Sequence, residues 1–502
     1  MSRLPWRCRA LVPGLVLLLV ATACGTRLDH ESVAAVGNGD APVDLSPPAG
    51  APAAPAAVGA ATVDAATPEP ATVASASVGA AAPSGPTVHD RRGGSEPAAV
   101  APAARPAAAG KCAQPLEPVV LGQTLATSGL VGATIGGLRA GLAIWAKDVN
   151  ARGGLECHPV RLIQLDDASD PARVTANWNS LIHDRGAVAI VGGGVPIAIA
   201  ALRTAAERDR VPVVGGDVTA EDWVQSPYLF PTGGAPLTSY DGGVIDAARV
   251  AEGPRKAGLF YCVEASICTG LKNNFPKSAE RAQAALGPIA ATSLTQPDYT
   301  SECQTMKAAG VNTLFLGLDG SASIRAARSC ASLNYFPTIS MGAIGLSAAA
   351  AADAGLRRNK TFLGSGVVPY TTTDTPGIRA FHAATQRWMP AGPIDQQTLL
   401  GWAAGKLLEA ALAQVSGPAS GGAVTTDLIL DGLWRLKNEK LDGISPGATF
   451  TRGRPATAVD CYYGLRLDEH GFGAVAGSRP TCFDASHRPV TRLTGSPGPH
   501  DG

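Results

Sequence analysis

The stretch Asn150–Pro171, "NARGGLECHPVRLIQLDDASDP", holds the junctions on which the fold turns. Ahead of it, Ile135, Leu138, Leu142, Trp145 and Val149 recur at spacings of three and four, which is one apolar face of a helix. Gly153–Gly154 end that helix, because glycine accepts the left-handed backbone that a helix C-terminus needs. "VRLIQL" (160–165) then reads as a strand. Asp170–Pro171 start the next helix: the Asp carboxylate caps free N–H groups and Pro suits the first helical position. Helix, strand and helix follow one another with short joints, the pattern of an α/β sheet. Asp166 and Asp167 fall at the carboxyl end of the strand, the edge that faces a crevice in parallel sheets. Three carboxylates without an adjoining His or Cys make a poor metal set. We assign them no metal and no catalytic role.

The alternation continues on both sides. "VVLGQTLA" (119–126) is a strand, "TSG" (127–129) a turn, "AVAIV" (187–191) a strand and "GGG" (192–194) a loop. A helix at 196–209, with Pro196 near its start, leads to strand "VPVV" (211–214) and loop "GGD" (215–217). A second series runs from a helix at about 238–252 through strands "AGLFYCV" (257–263), "ATSL" (291–294), "TLFLGL" (313–318), "PTISMG" (337–342) and "TFLGSGV" (361–367). Helices at about 270–285, 300–309 and 321–332 separate its strands. Helices at about 376–389, 396–414 and 426–438 follow, and "CYYGLRL" (461–467) is a late strand. Two runs of βα units imply two doubly wound parallel sheets.

At 502 residues the chain has room for two or three lobes. Its 41 basic and 41 acidic residues balance, so no basic excess points to nucleic acid. No G-x-x-x-x-G-K-[ST] occurs, and His158, His183 and His382 have no evident Ser or Cys partner. The expectation is a binding protein, not an enzyme, with no cofactor.

The N-terminus carries Arg3, Arg7 and Arg9, then "LVPGLVLLLVA", an apolar run too short to span about 30 Å of hydrocarbon as a helix. "ATAC", ending at Cys24, resembles a bacterial lipobox. That resemblance implies a signal peptide over 1–23, cleavage before Cys24 and lipidation of its thiol. Acyl chains would then hold the protein on the outer face of the cell membrane. From 24 to 112 the chain is rich in Ala and Pro and lacks a sustained period, so it cannot bury enough surface to offset chain entropy. Residues 25 to about 110 of it, some 86, have a mean reach on the order of 50 Å. A polar tail over 485–502 closes the chain.

Setting aside Cys8 and Cys24, eight cysteines remain: Cys112, Cys157, Cys262, Cys268, Cys303, Cys330, Cys461 and Cys482. None forms a C-x-x-C, and an even count in an exported chain reads as disulfides. Eight cysteines allow 105 pairings.

"SGLVGATIGGLRAGLAIWAKDVNARGGLECHPVRLIQLDDASDPARV", from Ser128 onward, resembles the amino-terminal signature of type I periplasmic binding proteins, in particular the branched-chain-amino-acid type of ABC-transporter substrate-binding protein. "AVAIVGGG", "RVPVVGGD" and "PDYTSECQTMKAAGVNTLFLGLDG" extend the match, which covers about 113–484. The resemblance implies two lobes joined by three crossover strands, lobe 1 at 113–235 with 368–438 and lobe 2 at 236–367 with 439–484. It also favours neighbour disulfides, 112–157, 262–268, 303–330 and 461–482, because each then falls inside one lobe and leaves the hinge free.

Such a protein closes on a small ligand held by strand-end loops. On lobe 1 the expected ligand-binding residues are Ser128, Gly193, Gly194 and Asp217. On lobe 2 they are Tyr261, Glu264, Tyr299 and Asp319. Each also has a purely structural reading: Ser128 and Asp217 as helix caps, the glycines as a tight turn, Tyr261 as core, Tyr299 as a helix opening. The chain departs from amino-acid binders of the family in having no hydroxyl at Gly193–Gly194 and in placing Asp217 where Thr is common. The implied ligand is a small polar solute (an amino acid, an amine or a polyol), and Asp217 with Asp319 would grip a cation from both lobes. The implied partner is an ABC permease; the same fold also serves as a sensor presenting its ligand to a membrane receptor or kinase.

Overall fold

The computed structural model describes residues 114–342, 345, 347–415, 422–457, 459–484 and 489–490, which belong to one compact unit. The expected signal peptide, Cys24, the Ala/Pro-rich tether and Cys112 lie outside the described residues, as does the 485–502 tail except for residues 489–490.

The first series builds a five-stranded sheet. Its elements are β1 (Val119–Leu125), α1 (Gly132–Ala151), β2 (Val160–Asp166), α2 (Pro171–Asn179), β3 (Ile190–Gly193), α3 (Ile199–Asp209), β4 (Val213–Gly216) and β5 (Leu229–Phe230). The strands are all parallel, in the order β2-β1-β3-β4-β5. The second series gives α4 (Pro236–Val250), β6 (Lys256–Cys262), α5 (Ser266–Arg281), β7 (Ala285–Thr292), α6 (Thr300–Ala308), β8 (Thr313–Gly317), α7 (Gly320–Ser332), β9 (Thr338–Gly342), α8 (Ala348–Ala352), α9 (Ala354–Arg358) and β10 (Thr361–Ser365). Its strands run β7-β6-β8-β9-β10 in parallel, the same winding. In both sheets the strand order reverses beside the first strand, and a crevice at the carboxyl ends marks that switch point.

The chain then returns to the first sheet with α10 (Pro376–Trp388), α11 (Gln396–Leu412) and α12 (Thr426–Arg435). α11 lies along α1, and its contact is close because glycine faces backbone: a Cβ at Gly141 would sit 1.9 Å from the Thr398 carbonyl oxygen, and one at Gly401 2.2 Å from that of Leu138. β11 (Thr449–Thr451) and β12 (Arg454–Thr457) form a hairpin. The lobe division drawn from sequence puts this hairpin in lobe 2. It packs on lobe 1 instead: Phe450 meets Phe230 of β5 edge-on at 5.0 Å, and Arg452 pairs with Asp431 of α12. Finally β13 (Cys461–Asp468), β14 (Gly471–Ala474), β15 (Thr481–Phe483) and β16 (Pro489–Val490) add antiparallel strands to the second sheet beside β10. The second sheet is therefore mixed at one edge, not parallel throughout.

Three segments cross between the sheets, and they touch. The Gly234 N–H donates to the Gly366 carbonyl (3.0 Å) and the Ala235 N–H to that of Val459 (3.1 Å). On the lobe 2 side, buried Arg281 pairs with Asp241 (2.6 Å) and with Asp460 (3.3 Å), tying α4, α5 and the third crossing together. Disulfides join Cys262 to Cys268, Cys303 to Cys330 and Cys461 to Cys482, all within the second sheet and its helices. Cys157 is disulfide-bonded as well.

Candidate functional site

The aspartates of "DDASDP" serve the loop itself. Asp170 caps α2, accepting from the Ala172 and Arg173 N–H groups. Asp166 accepts from the N–H groups of Thr127 (2.8 Å), Ser128 (3.2 Å) and Ala168 (3.0 Å), and from the Ser128 hydroxyl. Burial pushes its carboxyl up, but these donors outweigh burial and hold it well below the usual carboxylate range. Asp167 is inside, where burial raises it to about 6 against hydrogen bonds from the Ser169 N–H and the Thr124 hydroxyl.

Ser128, expected to face a ligand or cap α1, spends its hydroxyl on Asp166; the N-cap of α1 is Val131, with no side-chain cap. Gly193 and Gly194 are buried. The Gly193 carbonyl accepts from the Asp217 N–H. The Gly194 N–H donates to Thr124 and its carbonyl accepts from Ala126. A Cβ at Gly194 would come within 2.7–2.9 Å of Leu138, Leu125 and Ile135, so this glycine lets β3 close against α1. The Ser128 hydroxyl and the Gly194 N–H are therefore already used within lobe 1.

On lobe 2, Tyr261 is half-buried and lies under the Lys272 ammonium (5.6 Å to the ring centre). Glu264 organises a turn, accepting from the Ser293 hydroxyl and the Leu294 and Val263 N–H groups. Tyr299 is core: it is fully buried, stacks on Phe260, and donates its hydroxyl to the Ser293 carbonyl. Asp319 caps α7 through the Ser321 and Ala322 N–H groups, and burial raises its carboxyl despite them. Cys262, Glu264 and Cys268 lie close together, but the two sulfurs are spent on their mutual bond, which leaves no thiolate for a metal.

Two cavities lie between the sheets, and Tyr240 lines both. The first, at the two switch points, holds about 400 Å³ of space including its open mouth. Lobe 1 contributes Val131, Pro196 and Ile197; lobe 2 contributes Ile267, Leu271 and Leu294 with Cys262, Leu318 and Asp319. The second lies against the crossings: Asp217 and Thr219, then Thr232–Gly233, then Ser365–Val367. Asp217 is 3% exposed; its Oδ2 accepts from Thr219 at 3.4 Å and its Oδ1 has no partner. The Thr232 hydroxyl beside it is unpartnered too. Burial pushes the Asp217 carboxyl up to about 7, with Thr219 and the nearby Gln397 amide only partly offsetting it. Asp217 and Asp319 thus line different cavities, not one cation seat.

Of the eight expected residues, only Asp319 lines the first cavity and only Asp217 the second. The apolar lining was missed because a run such as "VPIAIA" (195–200) reads equally well as helix core. The crossing residues Thr232 and Ser365 carry no local signal at all.

The family profile described as periplasmic binding protein matches residues 118–471. No curated protein gives a significant match. Solved structures show the same fold at low identity. A possible leucine/isoleucine/valine-binding protein from Rhodopirellula baltica is 17% identical, with 72% of this chain and 98% of that one covered and a TM-score of 0.60. A fatty acid ABC transporter substrate-binding protein from Thermomonospora curvata is 18% identical (75% and 94% covered, TM-score 0.62). A solute-binding protein of an ABC transporter from R. palustris, in complex with benzoate, is 16% identical (73% and 98% covered, TM-score 0.60). With a match over most of its globular part and two sheets wound the same way around an interlobe cavity, the chain belongs to the periplasmic binding protein family.

Proposed function

We propose that this chain is the solute-capturing component of an ABC importer, held outside the membrane by a lipid on Cys24 and the Ala/Pro-rich segment that follows it. The observation that carries the reading is the cavity walled by both lobes at their switch points. A solute seated there touches lobe 1 and lobe 2 together, so it binds the closed arrangement better than an open one and shifts the population toward closure. Closure presents both lobes to a permease as one surface. We take lobe 1 as 113–235 with 368–457, and lobe 2 as 236–367 with 459–484, so that motion concentrates where the three crossings meet. Disulfides within lobe 2 stiffen that lobe without bridging the hinge. Native mass spectrometry of protein purified from its host tests the reading. It should show one small molecule per chain, and calorimetry with that compound should return one-to-one binding. Absence of any bound solute, with no binding from a host metabolite extract, would contradict it.

A further inference from the structure

We infer that the interlobe cavity selects an uncharged, hydrocarbon-rich solute, an aromatic ring or a short branched chain, in place of an α-amino acid or a carboxylate. The inference rests on the solute-binding reading above and names the ligand class of the same site. Three observations carry it.

The first is the wall. Seven of the lining side chains, Val131, Pro196, Ile197, Ile267, Leu271, Leu294 and Leu318, are hydrocarbon, and they come from both lobes. The polar groups among the rest are already engaged. Both Asp319 carboxylate oxygens accept N–H groups of α7, the Tyr240 hydroxyl donates to the Thr219 carbonyl, and the Cys262 sulfur is in a disulfide.

The second is the fate of the groups that would hold a carboxylate. The Thr127 and Ser128 amides and the Ser128 hydroxyl turn to Asp166, which occupies them as a ligand anion would. The Gly194 and Asp217 amides donate to Thr124 and Gly193. An incoming carboxylate would have to displace an internal one whose ionised form those donors already favour.

The third is the place of Asp217. Among the described residues it is the buried carboxylate with an unpartnered oxygen, yet it lines the second cavity, against the crossings, and not the first. A ligand carboxylate in the first cavity would meet no free donor and would lie beside the Asp319 carboxylate, so its charge would be desolvated without compensation, which is unfavourable enough to dominate selectivity.

Matched pairs sharing one hydrocarbon body test this directly: benzyl alcohol against benzoate, and 4-methylpentan-1-ol against L-leucine. Thermal-shift titrations of the mature protein should give saturable stabilisation by the two alcohols. The charged partners should bind about tenfold more weakly or worse. Ile197→Asp should abolish the response to the alcohols, and Ile267→Ala, a milder change, should weaken it several-fold. Near-UV circular dichroism checks that both variants remain folded. Tighter binding of leucine or benzoate than of its alcohol, or alcohol responses untouched by both substitutions, would overturn the inference. The two readings separate by small-angle scattering of the same samples. Contraction with a charged ligand leaves the solute-binding reading standing and removes this one. No response and no contraction with any of the four removes this one and counts against both.

Discussion

Asp217 is the residue whose environment is least forgiving. It is fully inside, with one oxygen unpartnered and no cation beside it, and its carboxyl is raised to about 7. A raised carboxyl pKa means that the native protein holds a proton the unfolded chain releases near pH 4. The stability this contributes is complete below about pH 4, declines as pH rises, and is gone above about pH 7. Asp167 and Asp246, each raised to about 6 by burial, slope the same way, so wild type alone does not isolate Asp217. Asp217→Asn does: denaturant unfolding should show the variant gaining on wild type between pH 5 and pH 8, by on the order of 2–3 kcal/mol. A constant difference across that range would mean that Asp217 is not the buried acid described here. The position was legible in sequence as a strand-end carboxylate, but its burial against the crossings was not, because Thr232 and Ser365 approach it from segments remote in the chain. Tyr299 shows the same limit: the sequence places it at a helix opening, and it is the N-cap residue of α6, but only its stacking on Phe260 makes its ring core.

Among the elements, the α1–α11 contact is the most demanding. Gly141 and Gly401 each face the backbone of the opposite helix, so a methyl group must push the helices apart. Gly141→Ala and Gly401→Ala should each lower unfolding stability by roughly 1–3 kcal/mol. Gly136, in the same α1, has nothing within 4 Å of where a Cβ would lie. Gly136→Ala should therefore leave stability unchanged or raise it by about 0.5–1 kcal/mol, through helix propensity alone. Equal losses at all three positions would contradict the packing. Most strands were readable because parallel strands buried on both faces appear as continuous apolar runs. β7 was placed too late, at 291–294, because "LGPI" (286–289) reads as a turn. β7 is an edge strand, where proline is tolerated, so the strand runs through Pro288. The β11–β12 hairpin was not anticipated: its strands are three and four residues long, too short for alternation to show.

At the scale of the whole molecule, two sheets with one winding, three crossings and a shared cavity form a hinge with a seat. Among the described residues no helix is long and apolar enough to cross a membrane. Cys24→Ala in the full chain should abolish incorporation of labelled fatty acid and release the protein from the membrane fraction, while leaving solute affinity within about twofold. Retention on the membrane would contradict the lipid anchor. The central claim is closure, and small-angle X-ray scattering reads it most directly. The protein stripped of solute and the protein saturated with the solute that co-purifies with it should give different curves, with a smaller radius of gyration in the saturated state. Identical curves at demonstrated saturation would contradict the account.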